Sequence, residues 1–247
     1  MSARVAICVP MYNSAAFAEA MIESCKAQTI TDWQLRIYND GSDDIDTRFL
    51  LFPPGGNDQP LVENAAVWNG LHVGPVRAMN RAFEMGLDVR LGAKVIARLD
   101  ADDAMAPDRL AKQLALIDEG ADIVSCDMML IDEAGRQLGP CMVGGMDPER
   151  FLAAEHSHGP VDASLVCRRE VYEQVGLWNP AYPWSAASEW LFRALGFGFK
   201  WAHVAEPLYH YRRHAGQLTK AGRGKGHETY AFLAERARTW NAHPASR

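Results

Sequence analysis

Ala93-Lys94-Val95-Ile96-Ala97-Arg98-Leu99-Asp100-Ala101-Asp102-Asp103 is the stretch whose reading decides the fold. Its apolar first half predicts a buried strand, and three carboxylates stand at its end, where a doubly wound sheet opens its ligand crevice. Asp100 and Asp102 alternate along an extended chain, so both can face one side and share a divalent cation, or divide a cation and a ribose hydroxyl between them. The same letters suit a turn and a helix N-cap, with Pro107 as a first-turn residue. Crowded acids repel one another unless a cation or donors compensate them, which favours a ligand role for Asp100 and Asp102.

Around that stretch, 247 residues with 48% hydrophobic content suffice for one substantial core, and one α/β domain with a C-terminal extension is expected. The net charge of −6 and the lack of a dense Lys/Arg block in the first two thirds argue against nucleic acid as the main partner. Cys8, Cys25, Cys126, Cys141 and Cys167 are odd in number and never two or three apart, so they read as core thiols in a reducing compartment. The chain enters its first strand directly after Ser2-Ala3-Arg4, and no apolar run approaches ~18 residues. The expectation is a cytoplasmic protein with neither signal peptide nor membrane span.

Val5–Val9 predicts strand one, stopped by Pro10; Asn13 or Ser14 then caps a helix whose buried stripe is Phe17, Met21 and Cys25. Leu35–Tyr38 predicts strand two, running into the turn Asn39-Asp40-Gly41-Ser42-Asp43-Asp44. After an irregular loop near Phe52–Asp58, a second helix carries Val76, Met79, Phe83 and Leu87, ahead of the strand Lys94–Leu99. A third helix shows Leu110, Leu114 and Ile117 and ends at Gly120; Asp122–Cys126 starts a strand, and Met128–Ile131 with its turn suggests a hairpin. Short helices are expected at Pro148–Ala154, at Arg169–Gln174 and around Trp190 to Leu195, with a last helix from about Gly226 to Trp240.

Three polar strand ends, Tyr12-Asn13, Asp40-Gly41-Ser42 and Asp100-x-Asp102, therefore converge at one sheet edge. With Gln28-Thr29, Gly74-x-x-x-Ala78-x-Asn80, Pro107-Asp108-Arg109-Leu110 with Gln113, and Glu206-Pro207-Leu208-x-x-Tyr211-Arg212-x-His214, they make the chain resemble the family 2 inverting glycosyltransferases of the GT-A fold. The resemblance spans most of residues 5 to 218. It implies a Rossmann-like, mostly parallel nucleotide-binding sheet with a mixed acceptor-side region and a C-terminal helix. It divides the chain into a donor half (1–126), an acceptor half (127–218) and a basic extension (219–247).

The resemblance further implies a nucleotide-diphosphate-sugar donor, UDP-sugar being favoured because uracil N3–H suits an acid at Asp40. Pro10, Tyr12 and Asn13 would line the nucleoside pocket, Arg77, Asn80 and Ala101 would lie against the donor, Asp100 would touch ribose or metal, and Asp102 would hold Mn²⁺ or Mg²⁺, with His214 completing the shell. Met79 stands where relatives often have an arginine, Asn39 where many have Asp, and Ala186-Ala187 where a Glu-Asp pair is frequent. The nearest acid, Glu189, is thus the candidate general base, with an ion pair to Arg193 as the alternative and Asp162 in reserve. His156, His158 and Asp162 suit acceptor-side roles rather than a zinc site. Trp178, Trp184, Trp190 and Trp201 either stack on a sugar or build core.

The expected acceptor is a saccharide or lipid-linked hydroxyl, as in surface polysaccharide or glycolipid synthesis. Arg212, Arg213, Lys220, Arg223, Lys225, Arg236 and Arg238 offer a surface for peripheral contact with the cytoplasmic membrane face. A sugar-nucleotide-binding module without turnover is the alternative. A sugar-nucleotide pyrophosphorylase would want a glycine-rich loop after strand one, where Pro10-Met11-Tyr12-Asn13 has none.

Overall fold

The computed structural model describes residues 3–44, 46–47, 64–144, 148–152 and 161–221, with only the backbone of Arg150, Lys220 and Ala221. In chain order the elements are β1 (Val5–Met11), α1 (Ala15–Lys26), β2 (Trp33–Asn39), β3 (Ala65–Asn69), α2 (Pro75–Gly86), β4 (Val95–Arg98), β5 (Ala104–Met105) and α3 (Arg109–Asp118). Next come β6 (Ile123–Ile131), β7 (Gln137–Cys141), α4 (Pro148–Leu152), a 3₁₀ turn (Asp162–Ser164), β8 (Val166–Arg168) and α5 (Arg169–Val175). The last are α6 (Ala186–Gly196), β9 (Trp201–Arg212) and α7 (Leu218–Ala221). The expected loop at Phe52–Asp58, the helix from Gly226 to Trp240, and His156 and His158 lie outside the described residues.

The sheet runs β3-β2-β1-β4-β8-β6-β9-β5, with β7 on β6. β3, β2, β1 and β4 are parallel; β8 is antiparallel to both β4 and β6, β6 and β9 are parallel, and the β6–β7 hairpin is antiparallel. This is the expected α/β arrangement with a mixed region beyond β4. The β1, β2, β4 and β6 C-termini share one edge, so the polar turns after them meet there.

Strand one does not stop at Pro10. β4 pairs with β1 only as far as Cys8, and Met11 C=O accepts from Asp40 on the β2 side. By alternation, the position where Pro10 lacks an N–H faces the side that β4 has already left, so no ladder bond is lost. Apolar clusters lie on both sheet faces. One gathers α2, α5 and α6 around Phe83, Trp178 and Trp190, and the other gathers α1 and α3 around Met21, Leu110 and Ile117. Gly86 marks the closest approach of α2 to β1, since a Cβ there would sit 2.6 Å from Cys8 Sγ. Cys8, Cys25, Cys126 and Cys167 are buried free thiols, and burial raises Cys8 and Cys25 to about 12.

Long polar side chains tie the layers beneath the acidic stretch. Gln28 on the α1 side donates to Ala106 C=O and accepts from Leu110 N–H, filling one of the orphan donors at the start of α3. Arg109 donates to Arg98 C=O and to Gln113, whose amide nitrogen donates to Val124 and Ser164 carbonyls across β6 and the 3₁₀ turn. The sequence match at these positions is therefore scaffold rather than site.

Candidate active site

At the β1 and β2 ends, Asn13 takes φ +47, a left-handed conformation that Asn tolerates, and its side chain binds the next turn. Its amide donates to Asp43 Oδ1 at 2.6 Å and accepts from the Asp43 and Asp44 N–H groups, while its own N–H donates to Ser42 Oγ. Gly41, at φ +71, lies against the following loop, where a Cβ would come 2.7 Å from His72 N. Asp40 is only 2% exposed. Its Oδ1 accepts from Val73 N–H at 2.7 Å and its Oδ2 from Gly74 N–H at 3.0 Å, with His72 Nδ1 also 3.0 Å from Oδ2. The carboxylate expected to read a base thus holds the entrance to α2, with His72 in front of it. Tyr12, exposed, packs its ring 4.2 Å from that of His72.

The three acids after β4 part company. Asp100 turns to Arg98, whose Nη2 donates to its two oxygens at 3.1 and 3.0 Å. Burial raises the Asp100 carboxyl, Arg98 opposes that, and Asp102 and Asp162 add to it. Asp103 is buried; it accepts from Tyr209 O–H at 2.6 Å and from Arg212 N–H at 2.8 Å. Burial, then the charges of Asp102 and Asp100, push its carboxyl well above the usual range. Asp102 keeps its carboxylate about a third open to solvent and lies 2.9 Å from His214 Nε2. Of the three residues expected around a cation, Asp102 and His214 are thus brought together while Asp100 is paired with Arg98, and among the described residues no three His, Cys, Asp or Glu side chains form a ready metal site.

β9 delivers that histidine. Arg212, which the sequence places with a solvent-facing basic set, turns inward: Nε donates to Asp102 C=O at 2.7 Å and Nη1 to the Asp132 and Glu133 carbonyls. Its guanidinium covers the Phe17 ring at 5.1 Å, and Phe17 in turn lies 4.7 Å from the His214 ring. Phe17 leaves the α1 core stripe for this purpose, and Ala18, Met21, Ile22 and Cys25 form the buried face instead.

Toward the 3₁₀ turn, Arg98 joins Asp100 to Asp162, whose Oδ2 is 3.0 Å from its Nη1, and the guanidinium stacks over Trp178 at 4.9 Å. Burial works against the Arg98 charge, but the two aspartates outweigh it and raise its pKa. Asp162 is half exposed. Asn80, expected at the donor, instead exchanges two hydrogen bonds with the Trp178 backbone, and Arg77 is exposed while Met79 and Ala101 are buried. Glu189 is 6% exposed, and both its oxygens accept from Arg193, at 2.7 and 2.9 Å. Arg193 also donates to Val175 and Leu177 carbonyls, so the pair knits α6 to the loop after α5. The ion pair that the i,i+4 spacing allows is formed, but buried rather than on an exposed helix face.

With this geometry in place, the family model described as glycosyl transferase family 2 matches residues 67–176, from β3 through the acidic stretch to the end of α5. That central segment is similar to glycosyl transferase family 2 domains. The fold is similar to that in the crystal structure of S. aureus TarS 1-349 in complex with UDP-GlcNAc, at TM-score 0.70 and 14% identity over 96% of this chain and 66% of that one. The uncharacterized protein y4gI of Sinorhizobium fredii is 26% identical over 90% of this chain and 24% of its own length. The putative glycosyltransferase EpsH of Bacillus subtilis is 24% identical over 94% of this chain and 67% of its own. The chain thus spans about a quarter of one relative and about two thirds of the other.

Among the described residues, no helix is long and apolar enough to cross a membrane. Three site residues escape a reading by periodicity. His72 is signalled only by standing two positions before the glycine that starts α2, Phe17 only by being the first aromatic of an otherwise aliphatic stripe, and Tyr209 only once β9 is known to cross behind Asp100 and Asp103.

Proposed function

We propose that the chain transfers a sugar, with inversion, from a nucleoside-diphosphate donor to a saccharide or lipid-linked hydroxyl, with UDP-sugar the favoured donor. The observation that carries this reading is the part-buried Asp102–His214 pair just past the end of β4, 2.9 Å apart, with the Asp102 carboxylate about a third open to solvent. The family 2 match and the UDP-GlcNAc in the TarS neighbour support the donor class.

A carboxylate oxygen and an imidazole nitrogen so close together fit one divalent cation, so Asp102 and His214 are the residues that would hold Mn²⁺ or Mg²⁺. Such a cation would neutralise the charge that develops on the departing diphosphate. Arg98 holds Asp100 and Asp162 at fixed positions, and Asp103, kept in place by Tyr209 and Arg212, stiffens the turn that presents Asp102. Inversion needs a carboxylate to take the acceptor proton. Glu189 has both oxygens engaged by Arg193, so the half-exposed Asp162 takes this role in the proposal and Glu189 keeps α6 in place.

A donor-binding module without turnover is the second reading, favoured by Ala186-Ala187 where relatives carry acids. Calorimetry with UDP, with and without Mn²⁺, and release of nucleoside diphosphate from UDP-, GDP- and dTDP-sugars separate the two. UDP should bind more tightly with Mn²⁺, and Asp102→Asn should remove that gain while melting as the parent does. Equal UDP affinity with and without the metal would end the cation role; binding without release from any donor would favour the module.

A further inference from the structure

Asp40 is the acid that the turn offers to a nucleobase, yet it is buried, and three donors already occupy its oxygens: Val73 N–H, Gly74 N–H and His72 Nδ1. A carboxylate accepts about four hydrogen bonds, so little capacity remains and none of it is at the surface. The group standing between Asp40 and solvent is His72, whose side chain is 54% exposed. Its Nδ1 faces two acceptors, Asp40 Oδ2 at 3.0 Å and Asp40 C=O at 3.2 Å. That environment places the proton of the neutral ring on Nδ1 and leaves Nε2 as an acceptor. The Tyr12 ring, 4.2 Å away, fixes the imidazole from its side and supplies an aromatic face at the same spot.

We propose that His72 determines nucleobase specificity, accepting the ring N–H of a base through Nε2 while Asp40 acts behind it as a positioning residue that sets the tautomer. This rests on the nucleotide-donor reading above and deepens it. The chemistry selects bases with a ring N–H donor, uracil and thymine at N3 and guanine at N1, over cytosine, whose N3 is an acceptor. Among these bases uracil is the one tested, as the base of the donor favoured above.

The test is calorimetric titration, in Mn²⁺, of UDP, N3-methyl-UDP and CDP into the parent chain and into His72→Phe, which keeps a ring against Tyr12 and removes the acceptor. The parent should bind UDP roughly tenfold more tightly than N3-methyl-UDP or CDP, the ratio expected when one hydrogen bond is lost and its partner left unpaired. In His72→Phe the three should bind within about twofold of one another. Equal binding of UDP and N3-methyl-UDP by the parent would overturn the assignment while leaving the nucleotide site standing, and so would a UDP preference that persists in His72→Phe. Failure of the parent to bind any nucleoside diphosphate, with or without Mn²⁺, would overturn the nucleotide site itself and the assignment with it.

Discussion

Asp162 and Glu189 are both acids of the part of the chain after β7, and their surroundings are opposite. Asp162 sits in the 3₁₀ turn before β8, half exposed, with one oxygen near Arg98 and the other accepting Ala163 N–H. Glu189 sits in the first turn of α6, shut away from solvent, with both oxygens held in the fork of Arg193. An acid that must take a proton from an incoming hydroxyl needs access from solvent, whereas one held bidentate in the interior works as a joint. In this chain the acid nearer to the family's usual position in sequence is the joint, and the more distant one, though also contacted at both oxygens, is half exposed to solvent.

The largest expected effect follows from treating Asp162 as the base. Asp162→Asn keeps the volume and should lower turnover roughly 10²–10⁴-fold, with UDP affinity and melting temperature close to the parent's. Near-normal turnover would erase the functional side of the contrast. Glu189→Gln strands Arg193 in the interior and should destabilise by about 2–4 kcal/mol, near the range for breaking a buried pair. Turnover per folded molecule should survive, and denaturant unfolding alongside activity at low temperature separates the two. If stability held and turnover collapsed, the two acids would exchange roles.

Replacing both partners sharpens the contrast. Glu189→Met with Arg193→Met removes the stranded charge and should recover part of the loss, leaving about 1–2 kcal/mol from the Val175 and Leu177 carbonyls that lose their donor. A double variant no better than Glu189→Gln would mean that the carbonyl contacts, not the ion pair, hold α6. The smallest effect is at Asn80, whose amide braces the Trp178 backbone beneath Arg98. Asn80→Ala should cost about 1–2 kcal/mol in melting experiments and leave UDP binding intact. A lost UDP affinity at full stability would return Asn80 to the donor.

The N-terminal half was legible because its signals are local. Val5–Val9 and Lys94–Leu99 are apolar runs closed by polar turns, and Met79 and Phe83 recur at helical spacing, so β1, β4 and α2 could be placed within a few residues. β9 was missed because Glu206-Pro207 interrupts its pattern. The pairing with β6 shifts register there, from Cys126 opposite Val204 to Met128 opposite Tyr209, and the bulge accommodates a proline that a regular ladder would refuse. β5 and β8, two and three residues long, carry too few side chains to show a period. Asp100, Asp102 and His214 were identifiable as chemistry-bearing residues, but their partners were not, since Arg98, Tyr209 and Arg212 choose among the acids through tertiary packing alone.

That dependence on β9 sets the order in which the protein can be assembled. Asp103 meets Tyr209 and Arg212 across separations of 106 and 109 residues, and Asp102 meets His214 across 112. Non-local pairings of this kind form late, after the entropy of closing a long loop has been met, and a chain emerging from the ribosome exposes its N-terminal strands first. The β1–β4 layer therefore exists for a time with three neighbouring carboxylates facing water, and binding competence arrives only when the segment to His214 has threaded between β6 and β5. A chain released before Tyr209 would keep β4 paired on both sides, with β1 and β8, yet leave Asp102 and Asp103 without the partners that the last strand brings to them.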